Sequence, residues 1–284
     1  MLTSSDERLR REGDVQPANA PAVVARGLGK TFRLGQLLSL RRTVDVLTFR
    51  GSRLSTIDAV DDVSFEANPG ECLAVLGVNG SGKTTLLQMI AGITVPSRGE
   101  MEVRGTVLPL FEIAQAFHIE LTGRENVVLF GTVLGLSRRQ IDDAMDEVAA
   151  FAEVERHIDT PMKRYSMGMR ARLSFATALR FPADIYIFDE VLAVVDDRFR
   201  ARCHDEMRAL VEAGRTVLFV SHNMQSVRYL ADRGMWLHDG AVEMVGPIAE
   251  VAGAYEARLR AEAHQPLDGY REKMARAQIH QPEI

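Results

Sequence analysis

The chain alternates short runs of valine, leucine and isoleucine with longer stretches in which apolar residues recur every three or four positions. The short runs read as strands: "AVVARGL" from Ala22, "DAVDDVSFEA" from Asp58, "CLAVLG" from Cys72, "GEMEVRGTVLPL" from Gly99, "IYIFDE" from Ile185, "TVLFVSH" from Thr216 and "RGMWLHDGAVEMVG" from Arg233. The most apolar of them lack polar alternation, as expected of strands covered on both faces. The longer stretches predict helices over 83–91, 124–135, 138–152, 167–181, 197–213 and 223–232. Strands separated by helices imply an α/β fold with a largely parallel central sheet. A polar leader runs to about Pro21, a charged tail follows about Tyr255, and there is no internal repeat.

Composition narrows the function more than the fold. With 284 residues, 46% of them hydrophobic, the chain has material for a real core in one large or two small domains. A net charge of -5 argues against a broad nucleic-acid surface, so any phosphate site must be local. Cys72 and Cys203 stand far apart and outside any ligand cluster, so neither a disulfide framework nor a zinc site is expected. No run approaches the about 18 apolar residues that span a bilayer, and the first residues lack a signal-peptide core. The expectation is a chain that stays in the reducing cytoplasm.

The strongest chemical signal is "GVNGSGKT" at residues 77–84, which satisfies G-x-x-x-x-G-K-[ST] between the run "CLAVLG" and the apolar helix "TTLLQMIAGI". Gly77, Gly80 and Gly82 let backbone amides curl around phosphate oxygens, Lys83 reaches the terminal phosphates, and Thr84 places its hydroxyl on magnesium. Helix-end electrostatics contribute only about 0.3–2 kcal/mol. Amides, lysine and metal must therefore act together. The run "ADIYIFDEV" supplies the matching carboxylates at a strand end: Asp189 as the magnesium partner through water, and Glu190 as general base for an attacking water. Two adjacent acids buried there without a cation would be unfavourable.

Beside these motifs, "YSMGMRARLSFATAL" at 165–179 resembles the signature segment of ABC ATPases, usually LSGGQ followed by basic and small residues. Ser166 and Gly168 match, whereas Tyr165, Met167 and Met169 depart. The resemblance spans about residues 23–255. It implies a P-loop NTPase of the ABC ATPase fold: a RecA-like parallel-sheet core, an antiparallel β subdomain and a helical subdomain within about 112–181. It also implies that the signature segment of one subunit caps ATP held by the loop of another. Asp196, in "DEVLAVVD", then becomes the D-loop contact across a homodimer, and His222, in "LFVSHNM", the switch histidine on the γ-phosphate. The expected nucleotide contacts also take in Val78, Asn79, Ser81, Thr85, Met167 and Met169.

Further positions follow from the same resemblance. Gln115 is the candidate for the metal-reaching glutamine, with Glu112 the alternative. Phe32 in "GLGKTFRL" is the candidate adenine platform, ordinary core being its alternative. The insertion 35–56 carries leucines with Arg41, Arg42, Arg50 and Arg53, suited to a membrane subunit or lipid headgroups, a solvated insertion being the alternative. Val195 stands where a D-loop glycine is expected, which puts the path to Asp196 in question.

"YSMGM", "DEVLAVVD" and "FHIELTGRENV" look like the polysaccharide-exporter branch serving O-antigen, capsule and teichoic acid. That implies ATP with Mg2+, a separate polytopic permease, a lipid-linked polysaccharide as cargo, no nucleic acid, and residence on the cytoplasmic face of the plasma membrane. The tail 256–284 is too short and polar for the carbohydrate-binding β-sandwich some of these exporters carry. An exporter for another substrate and a soluble ABC-type ATPase are the competing readings.

Overall fold

The computed structural model describes residues 20–33, 56–110, 117–189 and 195–263. Of the expectations above, the leader, the insertion, Glu112, Gln115, Glu190 and the end of the tail lie outside the described residues.

Two sheets divide the strands. β1 (Val23–Arg33), β2 (Thr56–Ala67) and β4 (Arg98–Val103) form an antiparallel sheet in the order β2-β1-β4. β3 (Cys72–Leu76), β5 (Val107–Pro109), β6 (Ile185–Asp189), β7 (Thr216–Val220), β8 (Arg233–His238) and β9 (Ala241–Pro247) form the second, in the order β5-β6-β7-β3-β8-β9. All its pairings are parallel except the β8–β9 hairpin.

Strands β3 and β7 are buried at every position, and each face of the parallel sheet supports its own core. Cys72, Ala74 and Leu76 join Tyr186, Phe188, Val217 and Phe219 on one face. Leu73 and Val75 join Ile185, Ile187, Leu218 and Val220 on the other, against the antiparallel sheet. On β2 the inward residues Val60, Val63, Phe65 and Ala67 break period-2 spacing once. The register shifts there, and Asp62 takes φ 53, a bulge that returns Val60 to the buried face.

Among the described residues the longer helices are α1 (Lys83–Ile90), α2 (Gly123–Val133), α3 (Arg138–Ala152), α4 (Met167–Arg180), α5 (Asp197–Glu212), α6 (Met224–Leu230) and α7 (Ile248–Ala263). The first six match the periodic stretches. Capping boxes start α2 (Thr122 with Glu125) and α3 (Ser137 with Gln140), satisfying amides that would otherwise have no intrahelical partner. No helix among the described residues is long and apolar enough to cross a membrane.

Three elements differ from the sequence pattern. The run 99–110 is split between sheets, because the amide and hydroxyl of Thr106 donate to Asp184 (2.8 and 3.0 Å) and draw 107–109 onto β6. The run 233–246 folds back at Asp239–Gly240, both with positive φ, a two-residue hairpin turn. Helix α7 continues through residue 255, where the pattern placed the end of the ordered core. Its apolar face is narrow, and Val251, Ala252 and Tyr255 are buried, with Tyr255 edge-on to Trp236 of β8 at 5.8 Å.

Candidate functional site

The loop 77–82 leaves the buried end of β3 and turns directly into α1. Gly77 and Gly82 have φ 150 and 99, and neither leaves room for a side chain. A Cβ on Gly77 would stand 2.5 Å from the Leu237 carbonyl oxygen, and one on Gly82 would strike the Ala59 carbonyl oxygen. The loop is therefore wedged between β2 and β8, with its backbone as its inner surface.

Lys83 is buried, and its Nζ donates to the carbonyls of Gly77 (2.7 Å) and Val78 (2.9 Å). The ammonium is thus held over the loop that a polyphosphate would occupy. The Ser81 hydroxyl is buried with no hydrogen-bond partner. Helix α1 has Gly82 at its N-cap, with no side chain capping its first amides. A buried hydroxyl without a partner, an uncapped helix start and an inward lysine together fit a bound anion with several oxygens. Thr84 and Asn79 are exposed, and Val78 and Thr85 half-buried.

Asp189 is the last residue of β6, and His222 follows the end of β7. Since β6, β7 and β3 are parallel neighbours, the carboxylate, the histidine and the glycine loop all lie at carboxyl ends of adjacent strands, the usual ligand edge of such sheets. Asn223 caps α6 through its Oδ1, which accepts from the amides of Gln225 (3.0 Å) and Ser226 (3.1 Å). This orients the turn that carries His222. No cluster of three or more potential metal ligands occurs among the described residues. Magnesium is ordinarily held by one or two carboxylates together with substrate phosphates, so Thr84 and Asp189 suit it.

Phe32 is 40% exposed, which removes the core alternative. It pairs across β1–β2 with Ile57, also exposed, and the Lys30 ammonium lies 5.3 Å from its ring centroid.

The signature segment occupies the other face of the parallel sheet. Ser166 caps α4, its Oγ accepting from the Met169 amide at 3.1 Å. Gly168 is partly exposed in the first turn. The flanking methionines have different environments: Met167 is 70% exposed, whereas Met169 packs against the core. Tyr165 is buried, and its hydroxyl donates to the His157 carbonyl at 2.7 Å.

Asp196 caps α5 by accepting from the Phe199 amide at 2.9 Å, and its other oxygen pairs with Arg172. Both contacts hold its carboxyl below the usual carboxylate range, the Phe199 amide more than Arg172. Val195 is buried in the same core cluster as Phe199, and its carbonyl accepts from Arg200 at 2.9 Å. A β-branched side chain is thus accommodated immediately before Asp196.

Sequence reasoning passed over two residues. Asn126 is almost fully buried; its Oδ1 accepts from the His118 amide (2.6 Å), and its Nδ2 donates to the carbonyls of His118 (3.0 Å) and Thr122 (2.9 Å). It ties residues 118–122 to α2. The T-x-x-E capping box just before it was the available signal. Arg172 had none, since its partners come from two other helices.

A strand, glycine loop and lysine-bearing helix, with a carboxylate and a histidine at the ends of neighbouring parallel strands, define a P-loop nucleotide-binding protein. Residues 60–193 match the ABC transporter family model. The O-antigen export system ATP-binding protein RfbB of Klebsiella pneumoniae is 40% identical over 198 residues, covering 70% of this chain and 80% of that protein. The teichoic acids export ATP-binding protein TagH of Bacillus anthracis is 36% identical over 202 residues, covering 71% of this chain but 37% of that one. The chain belongs to the ABC transporter family, among its ATP-binding subunits.

Solved structures share the fold. A dimeric ATP-binding cassette in a post-hydrolysis state with ADP and Pi aligns with TM-score 0.66 at 23% identity, covering 80% of this chain and 98% of that one. An ATP-binding subunit of an ABC transporter aligns with TM-score 0.67 at 20% identity, covering 89% and 99%.

Proposed function

We propose that this chain is the ATP-hydrolysing subunit of an exporter of lipid-linked polysaccharide, acting as a homodimer on a separate polytopic permease at the cytoplasmic face of the plasma membrane. The observation that carries the ATPase part is the loop at 77–83, with its inward lysine and partnerless Ser81 hydroxyl. The cargo rests on the likeness to O-antigen and teichoic acid export subunits.

In this reading Lys83 and the loop amides bind the β- and γ-phosphates, and Phe32 stacks on the base. Stacking contributes about 1–3 kcal/mol with little base selectivity. Thr84 and Asp189 would hold magnesium, with Gln115 or Glu112 as a further partner; the ion would supply neutralisation of phosphate charge. Glu190 accepts a proton from water as the water oxygen bonds to the γ-phosphorus. The bond from that phosphorus to the bridging oxygen breaks, leaving ADP and phosphate, and His222 steadies the transferred charge.

Helices α1 and α4 bury their apolar faces in opposite cores of the parallel sheet, Leu86 and Leu87 in one and Leu173 and Phe175 in the other. This supports a head-to-tail pair in which Ser166, Gly168 and Asp196 of one copy meet the nucleotide of the other.

Glu190→Gln tests the mechanism: nucleotide binding should persist while turnover falls at least about 100-fold, and a wild-type rate overturns the general-base role. Cells lacking the protein should accumulate a lipid-linked glycan inside. If none accumulates, the cargo assignment fails.

A further inference from the structure

The two segments that this function places against a partner copy start neighbouring helices, Ser166 capping α4 and Asp196 capping α5. One side chain joins them. Arg172 lies six residues after Ser166 on α4, about 9 Å along the axis. One arm of its guanidinium meets Glu153 at 2.5 Å and the other meets Asp196. Its flat face lies 5.0 Å from the Phe199 centroid, and the Phe199 amide is the one that Asp196 caps.

Each end of this bridge is held in turn. Glu153 closes α3 in the left-handed region, at φ 57, where a side chain with a Cβ is disfavoured and glycine or asparagine is usual. Its second oxygen accepts from Arg202 at 2.7 Å. The Arg202 guanidinium covers Phe151 at 4.6 Å and Phe199 at 5.8 Å, and those two rings meet edge to face at 5.4 Å. Only a planar fork can bond two carboxylates at once while lying on a ring, so lysine cannot replace Arg172 here.

We propose that Arg172 is a positioning residue that links Glu153 of α3 to Asp196, setting the D-loop relative to the signature serine. The inference rests on the dimeric ATPase reading above. Asp196 has one oxygen committed to the α5 cap and the other to Arg172, so a shift of α3 and α4 against the parallel sheet pulls on the start of α5. Movement of the helical layer thereby reaches Asp196 itself through the Arg172 guanidinium, while Arg202 and the Phe151–Phe199 contact hold α3 to the body of α5.

The test uses the full chain and measures nucleotide affinity with a fluorescent ATP analogue, thermal stability, and kcat and KM for ATP. Arg172→Ala should bind the analogue within twofold of wild type yet lose at least tenfold in kcat, with Arg172→Lys no better. The double variant Arg172→Ala/Asp196→Ala should be no slower than the slower single variant, because both remove one linkage. A kcat within twofold of wild type, or losses that multiply in the double variant, overturns the proposal. Should Arg172→Ala not fold, Arg172→Lys carries the test: a tenfold loss supports the linkage and a wild-type rate overturns it. A wild-type chain that binds nucleotide without hydrolysing it counts instead against the ATPase reading.

Discussion

The hydroxyl of Tyr165 stands 2.6 Å from where a Cβ on Gly123 would sit, while donating to the His157 carbonyl at 2.7 Å. The first residue of α2 and the residue before the signature serine are thus fitted to one another. Burial, with a smaller effect from Asp159, pushes the Tyr165 hydroxyl up to about 12, so it stays a donor at neutral pH. Gly123→Ala should cost about 1–3 kcal/mol from overpacking, and Tyr165→Phe about 1 kcal/mol from the lost bond. The double variant should recover part of the Gly123→Ala loss in urea denaturation. Strictly additive losses would contradict the contact.

The buried Asn126 side chain bonds four backbone groups, counting a longer bond to the Leu121 carbonyl at 3.3 Å. Asn126→Ala should destabilise by about 2–4 kcal/mol, the sum of lost bonds and carbonyls left unpaired. Calorimetry should show a lowered Tm, and amide exchange should quicken first around His118. Unchanged protection there would argue against its tying role.

The two signature methionines should behave differently on return to the usual family residues. Met169→Gln places an amide against the core and should destabilise by about 1–3 kcal/mol, whereas Met167→Gly should act on the first turn of α4 by about 1 kcal/mol or less. Melting curves of the two variants separate them. Equal shifts would mean that their different burial has no energetic consequence.

Asp184 gives a pH signature. Its carboxylate accepts from the Thr106 amide and hydroxyl and pairs with Arg215 at 2.7 Å, joining the ends of three strands. Those contacts, the Thr106 amide foremost, hold its pKa below the ordinary 3.8. Its contribution is therefore full above the ordinary value and is lost as pH falls through the lower folded value. The urea midpoint should fall between about pH 5 and about pH 2, and fall less steeply in Asp184→Asn. Identical slopes would show that other carboxylates carry the acid sensitivity.

Sequence alone determined what local periodicity and covalent order can encode. That includes the first six helices, the buried runs of the parallel sheet, the glycine-lysine loop with its flanking strand and helix, and the Asp189 carboxylate at the end of "IYIFD". These depend on neighbours within a few residues, where propensity and spacing act directly. The strand order β6-β7-β3, which sets Asp189 and His222 beside the loop, was decided by tertiary structure, because pairing joins residues far apart in the chain. So were the division of 99–110 between two sheets, through Thr106 and Asp184, and the packing of Met169 but not Met167 against the core. The bridge from Glu153 through Arg172 to Asp196 belongs with these. Its parts lie on three helices, and no spacing along the chain states how those helices rotate and pack; only burial of their apolar faces against a common sheet brings the charges together.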